Sequence, residues 1–190
     1  YNTWMTLMPP TEENSLELID LFNEKLFKPY DAYFDTYTID DGWDDKKSLW
    51  DIRSDRFPNE FDSIRTELKK MNTDLGLWLS PSSGYDHGPW LVSNGYAQNG
   101  TRGKYICQSD PKYVRDLNKR IDELVVSNDL KFFKFDGNCV NCDADDHPWH
   151  LTGDFAKETN VDALIELLSN IKEKQPNIYI DITTGIWLSP

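Results

Sequence analysis

Apolar runs of strand length alternate along this chain with stretches whose apolar positions recur at helical spacing. The runs predict strands over Asn2–Leu7, Ala32–Asp40, Leu75–Leu79, Phe132–Asp136 and Ile178–Ile182, and a helix is expected after each of the first four. The first helix should open near Thr11, where Glu12 and Glu13 suit its positive end, carry Leu16, Ile19, Phe22 and Leu26, and stop before Pro29. The second carries Phe57, Phe61, Ile64, Leu68 and Met71. Asp110 and Pro111 supply a cap and a first-turn proline for the third, with Val114, Leu117, Ile121 and Leu124 behind them. Val161, Leu164, Leu168 and Ile171 mark the fourth.

Strands that alternate with amphipathic helices predict a parallel sheet covered by helices. The choice lies between an open doubly wound sheet and a (β/α)8 barrel, and the strand ends decide it. Polar or aromatic residues stand at the C-terminal end of every predicted strand: Trp4 and Thr6; Asp40, Asp41 and Trp43; Trp78 and Ser80; Lys134 and Asp136; Asp181, Thr183 and Thr184. A barrel assembles its site from several strands at that end, whereas an open sheet uses mainly its switch point. No glycine-rich phosphate loop follows the first strand. The reading is therefore an α/β TIM barrel of which about five βα units are present. A barrel typically needs about 250 residues, so residues 1–190 are expected to be the N-terminal portion of a single catalytic barrel that continues after Pro190. The long connection from Pro81 to Ser109 is expected to roof the strand-end site.

Composition changes this picture in two respects. The chain of 190 residues is 13% aromatic, with seven Trp and nine Tyr, which suits surfaces that pack on sugar rings. Its formal net charge of -13 argues against nucleic acid and against anionic membranes as partners. No run approaches the ~18 apolar residues of a membrane-spanning helix. The three cysteines are odd in number and settle no redox compartment.

The most informative stretch is Lys131-Phe-Phe-Lys-Phe-Asp-Gly137. On a strand, Phe133 and Phe135 share one face while Lys134 and Asp136 share the other. The phenylalanines should bury, and the charged pair should face a cavity, with Lys134 lowering the pKa of Asp136. An ionised acid suits a nucleophile or fixed negative charge, although a structural ion pair at a strand end would look the same. Upstream, Thr38-Ile-Asp-Asp-Gly-Trp43 places two adjacent acids and an indole at another strand end. Such acids can accept hydrogen bonds from hydroxyls, and an indole packs on the C–H face of a sugar. An exposed capping turn and a divalent-metal site extended by Asp44 and Asp45 are the alternatives; the chain shows no phosphate cradle to favour the metal.

Cys139-Val-Asn-Cys142, followed by His147 and His150, has the ligand types of a tetrahedral zinc site. Its compressed spacing fits equally well a surface loop with a disulfide, so no metal is assigned. No nucleophile elbow supports acyl transfer.

Taken together, Tyr-Asn-Thr-Trp at 1–4, Asp-Asp-Gly-Trp at 40–43, Phe-Pro-Asn at 57–59, Leu-Gly-Leu-Trp at 75–78 and Lys-Phe-Asp-Gly at 134–137 resemble the α-galactosidases of glycoside hydrolase families 27 and 36, in the family's order. The resemblance implies a barrel that removes terminal α-linked galactose with retention, without a cofactor. It implies Asp136 as nucleophile and Lys134 as a galactose-binding lysine. Asp40 and Asp41 become the acids that hold the sugar's hydroxyls, and Trp4 and Trp78 become pocket residues, with Trp43 added from the residue-level reading. The family's acid/base aspartate belongs to a later strand, expected beyond Pro190. An α-N-acetylgalactosaminidase is the alternative within the class. A glycan-binding barrel without catalysis and a metal-dependent phosphate-handling barrel are the alternatives outside it.

Overall fold

The computed structural model describes residues 1–100 and 105–183. Four strands, β1 (Thr36–Ile39), β2 (Asp74–Leu79), β3 (Phe132–Phe135) and β4 (Tyr179–Ile182), form one sheet in the order β1-β2-β3-β4. All neighbouring pairs are parallel. Sequential order with helical crossovers is the progression of a (β/α)8 barrel wall, and the chain has the fold of part of such a barrel.

The first expected strand shrinks to one parallel bridge between Asn2 and Thr38. Residues 1–3 do lie beside β1, since Thr38 N–H donates to Tyr1 O and Thr3 N–H to Thr38 O. The chain then turns: Thr6 and Leu7 N–H both donate back to Thr3 O, and Met5 takes φ 73°. A residue held there cannot continue a strand. The location was legible in the sequence but the length was not.

Helices α1 (Glu12–Phe22), α3 (Asp62–Lys70), α4 (Gly88–Ser93), α5 (Pro111–Asn128) and α6 (Asp154–Lys174) follow the strand segments, with a short α2 (Lys28–Tyr30). Thr11 closes a capping box with Asn14, each accepting the other's backbone N–H. Pro29 does not end the first helix as expected. A π-helical turn over Asn23–Phe27 intervenes, and the helical path runs through Pro29 to Asp31, which takes the left-handed conformation. Proline is admitted because it sits near the start of α2, where a missing N–H costs least. In the second crossover Phe57 and Phe61 are buried in turns ahead of α3, so the apolar stripe starts before the helix does. Asp110 caps α5 through Lys112 N–H, and Pro111 is its first residue.

Side chains alternate across the sheet as the strand period requires. Tyr37, Ile39, Leu75, Leu77, Phe133 and Phe135 bury in the helix-covered core. On the opposite face Thr38, Gly76 and Phe132 form one row, and Trp78, Lys134 and Asp181 the next. Gly76 leaves room in that row: a Cβ there would lie 2.6 Å from Thr38 Oγ1 and 2.9 Å from Phe132 Cβ. Among the described residues no helix is long and apolar enough to cross a membrane.

Candidate active site

The end of β3 sets the site. Asp136 lies one residue past the strand and prolongs the ladder by donating its N–H to Leu79 O at 3.0 Å. Gly137 turns the chain with φ 59° and gives its N–H to Asp136 Oδ1 at 2.7 Å. A Cβ at this position would stand 2.3 Å from the Tyr85 ring, so glycine is demanded by conformation and by space. That close approach lets Tyr85 OH donate to Asp136 Oδ2 at 3.2 Å. Burial pushes the Asp136 carboxyl up, but hydrogen bonds from Gly137 N–H, Thr183, Tyr85 and Trp78 outweigh it and hold the pKa below its ordinary value. Asp136 is therefore an ionised, oriented carboxylate.

The cause differs from the sequence expectation. Lys134 does not pair with Asp136; its Nζ donates to Asp40 Oδ2 at 2.8 Å, across the sheet. Residues two apart on a strand share a face but stand one pleat apart, whereas Asp40, just past β1, opens toward β3. Asp40 is only 1% exposed. Its N–H donates to Thr3 Oγ1 at 2.8 Å, which ties residues 1–3 to the site. Asp41 N–H donates to Asp40 Oδ1, and Asp41 Oδ1 accepts from Lys46 Nζ at 2.7 Å.

Lys46 also reaches Asp44, whose Oδ2 lies 2.8 Å from His87 Nε2 in a fully buried pair. Burial pushes Asp44 up, and His87 and Lys46 together pull it below its ordinary pKa. Asp40, Asp41 and Asp44 thus all have nitrogen partners, which removes the reason for reading this acidic run as a divalent-cation site. Lys46, Tyr85 and His87 were given no role from the sequence. Their only sequence signal was position, Lys46 just past the acid pair and the other two in the long connection.

That connection covers the strand ends as expected. Ser82 Oγ donates to Gly137 O at 2.7 Å, Tyr113 OH donates to Pro81 O, and Gln98 and Ile106 bridge antiparallel. Residues 101–104 of it, and Thr184 at the end of β4, lie outside the described residues.

The three tryptophans separate. Trp43, expected to offer an indole face to sugar, is 0% exposed. Its Nε1–H donates to Trp78 O at 2.8 Å and its ring packs on Trp50 and Phe61, so it is a core residue that joins β1 to β2. Trp78 is 1% exposed, capped edge-on by Tyr85, with Lys46 Nζ 5.8 Å from its ring and a hydrogen bond to Asp136. Trp4 is 49% exposed, with its ring 5.8 Å from Lys134 Nζ. It borders a cavity of about 490 Å³ lined also by Thr38, Phe132, Lys134 and Asp181. A larger cleft of about 820 Å³ lies between α1 and α3 on the outer helical layer, away from these groups.

Comparison with known proteins identifies the family and the fold. The family model described as Melibiase matches residues 14–185. No curated protein matches the sequence. Among solved structures, the family 36 α-galactosidase AgaA of Geobacillus stearothermophilus in complex with raffinose superposes with a TM-score of 0.71 at 17% identity, over 94% of this chain and 26% of that one. An α-galactosidase from Lactobacillus brevis gives 0.69 at 18% identity, over 94% and 26%. The Thermus thermophilus α-galactosidase TtGalA, in complex with p-nitrophenyl α-D-galactopyranoside, gives 0.63 at 14% identity, over 95% and 36%. The chain thus spans about a quarter to a third of the length of these structures.

Proposed function

The chain belongs to the melibiase family of α-galactosidase-type glycoside hydrolases, and we propose from that premise that it is part of a retaining exo-α-galactosidase. Asp136 is the nucleophile in this reading. Its carboxylate attacks the anomeric carbon as the glycosidic bond breaks, while a carboxylic acid protonates the departing oxygen; water then hydrolyses the covalent glycosyl-enzyme. The observation that carries the reading is the set of donors on Asp136. Gly137 N–H, Tyr85 and Trp78 keep it ionised and aimed, at a strand end beside Lys134 and Asp40.

Lys134 and Asp40 take the sugar's hydroxyls as a preformed donor and acceptor pair. Asp41, with Lys46 behind it, adds an acceptor at the rim. Trp4 supplies the exposed indole face against the ring's C–H groups. The general acid needs to stand about 5–5.5 Å from Asp136 in a retaining enzyme. We assign it to a barrel strand outside the described residues; the chain spans 26% of the length of the Geobacillus structure. The raffinose bound to the Geobacillus protein supports a carbohydrate as the partner.

The test is a panel of p-nitrophenyl α- and β-glycosides hydrolysed by the full-length protein, with the first-formed anomer followed by proton NMR. Release of α-galactose as the first product is expected. β-Galactose first would exclude retention, and hydrolysis of the α-N-acetylgalactosaminide alone would move the substrate to that sugar. Absence of turnover on every glycoside would overturn the enzyme reading.

A further inference from the structure

Behind the wall of the strand-end site, four side chains from two loops converge on one point. Cys107 comes from the connection between β2 and α5, and Cys142, His147 and His150 from that between β3 and α6. Their donor atoms all lie within 4.8 Å of one another. Cys107 and Cys142 are buried, and the two histidines are half-buried. Cys107 Sγ is 3.3 Å from His150 Nε2, Cys142 Sγ is 3.5 Å from His147 Nδ1, and the two ring nitrogens are 3.3 Å apart.

We propose that Cys107, Cys142, His147 and His150 bind one zinc ion in a closed tetrahedral site. Zinc bonds of about 2.3 Å to sulfur and about 2.05 Å to nitrogen give tetrahedral edges of roughly 3.5 Å for S···N and roughly 3.3 Å for N···N. The three separations of 3.3, 3.5 and 3.3 Å lie close to those edges, so an ion needs little movement of these groups to enter.

The surrounding contacts serve the same end. His150 Nδ1 lies 3.0 Å from Leu151 O, so the tautomer with the proton on Nδ1 leaves the Nε2 lone pair facing the cluster. Ser109 Oγ, 3.4 Å from Cys107 Sγ, is placed to donate to it, and Ala144 N–H donates to Cys142. Trp149 stacks on His147 with ring centroids 4.6 Å apart. Asn160, buried on α6, accepts Ser109 N–H at 2.9 Å and donates to Val140 O at 2.8 Å, so it clamps both ligand-bearing loops. Cys139 is outside the set: its thiol takes Asn99 Nδ2 at 3.4 Å instead. The zinc pair of cysteines is therefore not the C-x-x-C of the sequence, and the partner of Cys142 lies 35 residues upstream of it.

Four protein ligands leave no open position, so the ion is structural. Its place gives it a mechanical task. Next to Cys107, Gln108 donates to Cys139 O at 2.9 Å; Cys139 N–H donates to Ser82 Oγ, which holds Gly137 O. Zinc would moor both loops to the turn that follows Asp136.

The experiment is metal analysis of the full-length protein, purified reduced and without chelators, then exposed to zinc and desalted. Stoichiometric zinc is expected in the wild type and in Cys139→Ser, falling to background in Cys142→Ser and His150→Ala. Cobalt loaded in place of zinc should give the intense visible bands of tetrahedral, thiolate-bound Co²⁺. If Cys142→Ser fails to fold, the half-exposed His150→Ala and the wild-type cobalt spectrum still decide the matter. No bound zinc, octahedral cobalt spectra, zinc retained by both ligand variants, or an intact mass lower by two hydrogens from a Cys107 to Cys142 disulfide in the protein as isolated would each overturn the site.

Discussion

Lys134 sits two residues before Asp136 on one strand, yet its Nζ pairs with Asp40 at 2.8 Å across the sheet. The two carboxylates therefore have different partners, Asp40 a cation and Asp136 hydrogen-bond donors.

Lys134→Met leaves Asp40 buried without its cation. Breaking such a pair costs about 3 kcal/mol, and Lys134→Met/Asp40→Asn should recover part of it because the stranded charge is gone. Urea denaturation of Lys134→Met, Asp40→Asn and the double variant checks this. A loss in the double variant equal to the sum of the losses in Lys134→Met and Asp40→Asn would show that the pair is not energetically coupled.

Asp136→Ala should leave the fold intact and lower turnover by several orders of magnitude. Azide fills the vacated space and attacks from the same side, so a β-glycosyl azide should form from an activated α-galactoside. Product analysis by NMR reads the configuration. Near-normal turnover by Asp136→Ala would remove the nucleophile role.

Tyr85→Phe removes one of the donors that hold Asp136 below its ordinary pKa. The folded pKa must then rise. Activity that needs the carboxylate is lost as pH falls through that value, so the acid limb of the kcat/KM profile should move to higher pH. A profile displaced the other way would contradict the assigned hydrogen bond.

Trp4 and Trp43 should respond in opposite ways. Trp43→Ala empties a core position and costs about 3–5 kcal/mol. Trp4→Ala, at a half-exposed position, should change stability by less than about 0.5 kcal/mol while raising KM severalfold. Thermal melts and Michaelis constants for the pair separate the roles. A raised KM with unchanged stability in Trp43→Ala would return that indole to the sugar site.

The sequence by itself determined the repeating βα order, the β3 alternation that buries Phe133 and Phe135, the Asp110 cap and the placement of Trp4, Asp40, Asp41, Lys134 and Asp136 at strand ends. These are local consequences of chain periodicity and of single-residue chemistry, so one sequence states them. Only the tertiary structure decided partners. Which amine meets Asp40, that Trp43 packs inward, that Tyr85 reaches Asp136, and that Cys107 joins Cys142, His147 and His150 all depend on how distant loops pack. Side-chain periodicity names a face; the residue opposite is chosen by strand register and loop path, which contacts between segments tens of residues apart determine.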